Sequence, residues 1–137
     1  MIYAVIDTNV LVSALFTHNT EAATVRVLNA MFLGKLMPLY NDEIIAEYED
    51  VLRRSKFHFT PALVNKYLKS IRKIGIQSEL VHSDEFFPDK DDVVFYEVAL
   101  SKEDAYLVTG NKKHFPKTPI VVTPAEMLEI LQRKGVL

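Results

Sequence analysis

Apolar and polar positions change along the chain in blocks that predict strands alternating with helices. Short apolar runs typical of buried strands cover residues 2–6, 36–40, 76–81, 106–109 and 120–122. Segments with helical spacing of apolar residues lie between and after them, at 10–16, from 20 onward, 42–54, 61–74, 93–100 and from 124 onward. This alternation predicts an α/β fold in which a parallel sheet carries helices on both faces.

Local signals predict where these elements begin and end. A side-chain oxygen stands where it can cap a helix N-terminus at Thr20, Asn41, Thr60 and Thr123. Thr123 and Glu126 also have the spacing of a capping box, and Gly75 is expected to end the helix that begins at Pro61. The second helix is expected to bury Ala22, Val25, Leu28 and Phe32. Pro38 predicts that its strand lies near a sheet edge, because proline cannot donate to a strand ladder.

Composition narrows the class of protein. The 137 residues fit one domain, 1–137, and 49% hydrophobic with 25% charged residues is an ordinary globular balance. No apolar run reaches the length of a membrane span and no export signal is evident, so we expect a cytoplasmic protein. The chain has no cysteine, which excludes disulfides, thiol nucleophiles and cysteine-ligated zinc. None of its four histidines forms a His-x-x-x-His pair, which argues against a zinc hydrolase.

Charge is segregated along the chain, although the net charge is only −2. Residues 51–78 contain no acid and seven basic residues, and residues 105–125 contain no acid and three lysines. Residues 84–104, in contrast, contain eight acids and two lysines. Such blocks are consistent with a basic surface for phosphates beside an acidic pocket for a metal ion. The basic residues that we single out are Arg53, Arg54, Lys112, Lys113 and Lys117.

Acidic and amide side chains follow the predicted strands at their carboxyl ends, where ligands bind in open α/β sheets. Asp7 ends the first strand, either as a turn or cap residue or as the first ligand of a site. Asn111 stands after the strand at 106–109, where Gly110 permits a sharp turn. In the helix at 42–54, Glu47 and Glu49 lie at opposite borders of the apolar stripe, and helical geometry does not choose between them.

A third group of acids precedes the helix at 93–100. Three acids fall within four residues at Asp89, Asp91 and Asp92, which is more than one N-cap needs. Like charges at this density repel one another unless a cation neutralises them. Asp92 is the strongest candidate because it opens the helix, whereas we expect Asp89 to lie in an exposed loop.

Clustered carboxylates without histidine or cysteine suit a hard divalent cation. Mg²⁺ binds through one or two carboxylates, waters and substrate phosphate, and Mn²⁺ accepts similar oxygen ligands. Such an ion lowers the pKa of a water and stabilises the charge that develops on a phosphodiester. The pattern therefore favours a metal-dependent nuclease.

Four segments taken together resemble the motifs of the PIN-domain family of ribonucleases. They are 6–13 (IDTNVLVS), 47–52 (EYEDVL), 91–92 followed by Phe95 and Ala99, and 106–111 (YLVTGN) followed by His114 and Phe115. The motifs occur in order over nearly the whole chain. The second favours Glu47 over Glu49. Many members of the family have aspartate where this chain has Asn111.

The resemblance implies a five-stranded parallel sheet and a Mg²⁺- or Mn²⁺-dependent endoribonuclease. It also implies a VapC-like toxin of a bacterial toxin–antitoxin pair, which would be a homodimer held by an antitoxin over the active site. The carboxylates that would hold the metal, directly or through water, are Asp7, Glu47 and Asp92, with Asp91 assisting and Asn111 as a neutral ligand. Supporting hydrogen bonds would come from Thr8, Asn9 and Thr109, and RNA phosphates would contact the five basic residues named above.

Two other classes of function compete with the nuclease. One is a PIN-fold binding or scaffold module whose weakened site no longer cleaves. The other is a phosphotransferase with Asp7 as nucleophile, as in haloacid-dehalogenase-like enzymes, but these usually need a second aspartate where this chain has Asn9. A response-regulator receiver is disfavoured because no phosphate-accepting aspartate follows the third strand.

Overall fold

The computed structural model describes all residues from Met1 to Leu137. Five strands form one sheet: β1 (Tyr3–Ile6), β2 (Met37–Tyr40), β3 (Ile76–Gln77), β4 (Tyr106–Val108) and β5 (Val121–Val122). Their order is β3-β2-β1-β4-β5, and every neighbouring pair is parallel. The predicted α/β fold with a five-stranded parallel sheet is therefore confirmed.

Six helices flank this sheet: α1 (Thr8–Phe16), α2 (Ala23–Phe32), α3 (Asp42–Leu52), α4 (Pro61–Ile74), α5 (Val93–Ala99) and α6 (Pro124–Arg133). Helix α2 packs against α1 and α6, whereas α3 packs against α4 and α5. Helix α5 also contacts β1, β2 and β4. Three single 3₁₀ turns, Ser55–Phe57, Lys90–Asp92 and Lys112–His114, connect the larger elements. No helix combines the length and the apolar character that crossing a bilayer requires.

Strand β1 lies at the centre of the core. Ala4, Val5 and Ile6 are buried, because helices cover both faces of the sheet. This explains why the strand is continuously apolar and does not alternate. The same burial removes water from the carboxyl end of β1, where Asp7 follows.

Three of the four predicted N-caps are confirmed. Asn41 accepts a hydrogen bond from the backbone N–H of Ile44 at 2.8 Å, and Thr60 caps α4 in the same way. Thr123 and Glu126 form the complete capping box, with bonds of 3.1 and 2.9 Å. These contacts satisfy backbone donors that no helical carbonyl reaches.

The prediction that Thr20 caps the second helix is wrong. Helix α2 begins at Ala23, and Thr20 lies in a turn before it. Asn19 supplies the side-chain oxygen there, accepting from the backbone N–H of Glu21 at 3.0 Å. Because α2 packs between α1 and α6, its buried stripe is Val27, Leu28, Ala30 and Met31. Of the predicted face, only Leu28 is fully buried, and Phe32 is exposed.

Pro38 lies one strand away from the sheet edge, since β3 is the edge strand beyond β2. Met37 donates its N–H to β1, so the missing N–H of Pro38 faces β3. Strand β3 pairs only with Leu39 and Tyr40, further along β2, and no donor is needed at Pro38. Strand β3 is also shorter than the predicted 76–81.

Gly75 ends α4 as predicted, although its φ of −93° is not left-handed. Space is the reason for glycine here. A Cβ at this position would lie 2.7 Å from the carbonyl oxygen of Pro38 and 2.9 Å from that of Ile71. The chain therefore needs glycine to pass from α4 into β3 beside β2.

Candidate functional site

Asp7 follows β1 at the carboxyl edge of the sheet. Its backbone N–H bonds to the carbonyl of Val108 at 2.9 Å, which extends the pairing of β1 with β4. Asp7 occupies the N-cap position of α1, but its side chain makes no capping bond. Its Oδ2 instead accepts hydrogen bonds from Thr109 at 2.7 Å and from Asn9 at 3.2 Å. The side chains of Thr109 and Asn9 therefore fix the orientation of the Asp7 carboxylate, and this carboxylate does not cap α1.

Burial raises the pKa of Asp7 above its ordinary value, because the side chain is only 7% exposed. The hydroxyl of Thr109, the amide of Asn9 and the nearby His114 counter this in part. The ionised form is thus supported by specific donors but carries a desolvation cost. A cation close to the carboxylate would offset that cost.

Helix α3 places Glu47 in the site and turns Glu49 away from it. The hydroxyl of Tyr48, fully buried, donates to the carbonyl of Ile6 and fixes α3 against the end of β1. Glu47 is half-buried, and burial together with Asp91 raises its pKa. Glu49 instead forms an exposed ion pair with an arginine one helical turn later. Helical geometry alone did not distinguish Glu47 from Glu49, and the packing of α3 places Glu47 in the site.

Asp92 ends the 3₁₀ turn that leads into α5. Asp89 caps this turn by accepting from the N–H of Asp91 at 2.9 Å, which leaves Asp92 free of any capping bond. The Asp92 side chain is 15% exposed, and its buried Oδ2 has no hydrogen-bond partner. Burial raises the pKa of Asp92 to about 6, and the charges of Asp7 and Asp89 add to this effect. A buried carboxylate oxygen without a hydrogen bond makes the ionised form of Asp92 costly in the folded protein.

His114 is a site residue that the sequence motif contained but that the predicted site did not include. Its Nδ1 lies 3.3 Å from Oδ2 of Asp92, without forming a hydrogen bond, and its Nε2 lies 2.9 Å from the side-chain nitrogen of Asn111. Asn111 also donates its backbone N–H to the hydroxyl of Thr109 at 3.0 Å. Asn111 therefore reaches Asp92 through His114. In the sequence, the position of His114 three residues after Asn111 could have indicated that it belongs to the site.

One cleft of about 510 Å³ joins these groups. Of the predicted site residues it contains Asp7, Thr8, Asn9, Glu47 and Asp92, and Thr109 lies buried next to Asp7. Asp89 is exposed, as expected, but it faces the same cleft, as does His114. Asp91 lines a neighbouring hollow with Glu43 and Glu97.

The basic residues lie outside this cleft, in two separate places. Arg53 and Arg54 form exposed ion pairs with Glu49 and Asp50 on α3, at 3.0 and 3.2 Å. The three lysines, in contrast, share a hollow of about 500 Å³ beside β5: Lys112, Lys113 and Lys117. Of these, Lys112 also pairs with a glutamate of α6 at 3.1 Å.

The oxygen-bearing side chains of the cleft fit a hard cation that needs only a few protein ligands. No three acidic or histidine side chains are grouped closely enough to hold an ion by themselves. Mg²⁺ does not need three, because it is commonly held by one or two carboxylates with waters and substrate phosphate. Asp7 and Asp92 line the same cleft and are two such carboxylates.

The fold is a parallel α/β sheet, and carboxylate side chains come together at the carboxyl end of its central strand, β1. This arrangement is typical of an α/β protein with its ligand site at the sheet edge. The family model described as PIN domain matches residues 3–113. The chain therefore belongs to the PIN-domain family, whose members are generally nucleases that use divalent metals. No curated protein matches the chain.

Proposed function

We propose that this protein is a metal-dependent endoribonuclease that hydrolyses RNA phosphodiester bonds, with residues 1–137 as one nuclease domain. The observation that carries the proposal is the cleft that the carboxylate residues Asp7 and Asp92 both line. Family membership supports a nuclease role in general. The continuous core of 35 buried apolar residues supports a single domain.

The proposed cofactor is Mg²⁺ or Mn²⁺. Asp7 and Asp92 would hold it directly, and Glu47 would do so through water. Asn111 would act through His114, and Asp91 would add negative potential from the neighbouring hollow. When bound, the cation would supply an acidified water and neutralise charge on the phosphodiester. Thr109 and Asn9 keep the Asp7 carboxylate oriented through their hydrogen bonds.

Both basic groups are proposed to contact the RNA backbone. The lysine hollow beside β5 adjoins the turn that carries His114, so a strand leaving the cleft can pass over Lys112, Lys113 and Lys117. Reversing these three charges is expected to weaken RNA binding and to flatten its dependence on salt. Reversing Arg53 and Arg54 at the end of α3 tests the second basic group in the same way, and unchanged salt slopes would remove both groups from the interface.

The deciding experiment compares the wild type with Asp7→Asn on end-labelled total RNA in Mg²⁺, in Mn²⁺ and in EDTA. We expect discrete fragments that need both the metal and Asp7. The matched control is Asp84→Asn, an exposed carboxylate outside the cleft, which should cleave like the wild type. Cleavage by Asp7→Asn at the wild-type rate would refute the proposal.

A toxin role, with a homodimer inhibited by a cognate antitoxin, is a further proposal that rests on resemblance to VapC-like proteins. Expression of the wild type in a bacterial host is expected to arrest growth, whereas Asp7→Asn should not. Co-expression with a cognate antitoxin should restore growth. Normal growth with active wild-type enzyme would argue against a toxin.

The alternative, a PIN-fold scaffold that does not cleave, is favoured by one observation. The site has no third acidic side chain close enough to complete a closed metal cage, and Asn111 brings no charge. Titration calorimetry with Mn²⁺ separates the two proposals. Saturable binding that Asp92→Asn abolishes supports the nuclease, and no binding supports the scaffold.

A further inference from the structure

An exposed aromatic ring stands at the mouth of the carboxylate cleft. Phe16, the last residue of α1, is 59% exposed. It is the exposed large apolar side chain that lines the cleft holding Asp7 and Asp92. An apolar group left in water beside a polar site commonly marks a binding surface.

Helix α1 connects this ring to the acidic end of the cleft. Thr8, Val12 and Phe16 are spaced four residues apart and all line the cleft, so they form one continuous wall. The wall begins beside Asp7 and ends at the ring, about 12 Å further along the helix axis. One extended ligand can therefore touch both the carboxylates and the ring.

The ring is supported by two other aromatics from the connection between α3 and α4. Phe57 and Phe59 stack on each other, with centroids 5.7 Å apart and an interplanar angle of 13°. Phe16 meets both approximately edge-on, at 6.4 Å and at angles of 77° and 73°. This packing orders the exposed ring before any ligand arrives, which lowers the entropic cost of binding.

Positive charge accompanies these aromatics. The ammonium of Lys56 lies 5.0 Å from the centre of the Phe57 ring. The segment that carries both belongs to the acid-free stretch 51–78. Aromatic rings interleaved with cations are typical of surfaces that bind single-stranded nucleic acid, where bases stack and phosphates pair with the cations.

We propose that Phe16, backed by Phe57, is a stacking platform for an unpaired nucleobase next to the phosphate positioned at Asp7 and Asp92. Stacking of this kind requires an unpaired base, because bases within a duplex are not free to stack on a protein ring. This rests on the proposed ribonuclease function for the identity of the nucleic acid. Binding can nevertheless be measured without cleavage.

The test measures binding of a short fluorescein-labelled single-stranded RNA of mixed sequence, in EDTA, by fluorescence anisotropy. Phe16→Leu keeps apolar volume but removes the aromatic face, and it should weaken binding about tenfold, the range of one stacked base. Phe16→Tyr should bind like the wild type. The matched control is Phe86→Leu, because Phe86 is 84% exposed but does not line the cleft.

A spectroscopic signal separates stacking from a general loss of structure. RNA carrying 2-aminopurine should lose fluorescence on binding to the wild type and to Phe16→Tyr, but not on binding to Phe16→Leu. A duplex of the same sequence should bind the wild type and Phe16→Leu equally. Phe16→Tyr and Phe86→Leu should melt at the wild-type temperature, and Phe16→Leu, which loses its edge-on contacts with two rings, should melt only a few degrees lower.

The outcomes distinguish this proposal from the proposed function. Unchanged RNA affinity in Phe16→Leu overturns the stacking platform, even if cleavage still needs metal and Asp7. Loss of affinity and of quenching supports the platform, even if no cleavage is found. Unchanged RNA affinity with weaker self-association of Phe16→Leu in sedimentation would assign the ring to a protein interface and overturn the proposal.

Discussion

Replacing Asp92 by asparagine is expected to stabilise the metal-free protein at neutral pH. The carboxylate is largely buried, lies near Asp7 and Asp89, and has an oxygen without a hydrogen-bond partner. Its ionised form is therefore unfavourable in the folded state. Asparagine has nearly the same shape and no charge.

The magnitude follows from the pKa. Asp92 has a pKa of about 6 in the folded protein against an ordinary value of 3.8. A difference of about 2 units corresponds to at most about 3 kcal/mol, and screening by the solvent that reaches the side chain lowers our expectation to about 2 kcal/mol. For a chain of this length, that is a rise of about 6–8 °C in melting temperature.

The sign of the pH dependence is fixed by the direction of the shift. Below about pH 4 the group is protonated in both states, so wild type and variant should be equally stable. Between about pH 4 and 6 the unfolded chain releases the proton first, and the wild type loses stability relative to the variant. Above about pH 6 the full difference persists.

Urea denaturation in EDTA at several pH values between 4 and 8 measures this difference, with Asp84→Asn as the exposed control. On the proposed function, binding of Mg²⁺ to the folded state should then stabilise the wild type, and it should stabilise Asp92→Asn much less. A variant no more stable than the wild type at pH 8, or a difference independent of pH, would refute the reasoning.

Three further substitutions test the supports of the site and fold. Thr109→Val removes a hydrogen-bond donor to Asp7, so the pKa of Asp7 should rise further. The acid limb of the cleavage profile should then move to higher pH, which rate measurements across pH would detect. Tyr48→Phe leaves the carbonyl of Ile6 without its buried donor and should cost about 1–2 kcal/mol in urea denaturation at unchanged m-value. Gly75→Ala places a Cβ 2.7 Å from a β2 carbonyl oxygen and should lower stability by about 1–3 kcal/mol; a wild-type melting temperature would contradict this.

Much of the fold is determined by residues close together in the chain. Asn41 and Thr123 cap helices through bonds to residues three positions away, so their identity and spacing suffice. The apolar run of β1 and the acid that follows it likewise placed Asp7 at the end of a buried strand, and the structure shows that this strand is the central one. The same local rule fails at Thr20, because α2 begins only at Ala23 and Ala22 occupies its N-cap position.

The chemistry of the site is decided by contacts that sequence spacing does not contain. Glu47 rather than Glu49 enters the cleft because the hydroxyl of Tyr48 fixes α3 against β1. His114 joins Asp92 across the sheet edge. Burial and like charge raise the pKa values of the site carboxylates, and both depend on groups brought together from distant segments. The chain alone therefore determines most of its elements and its candidate acids, whereas only tertiary packing determines which acids meet and how far their pKa values are raised.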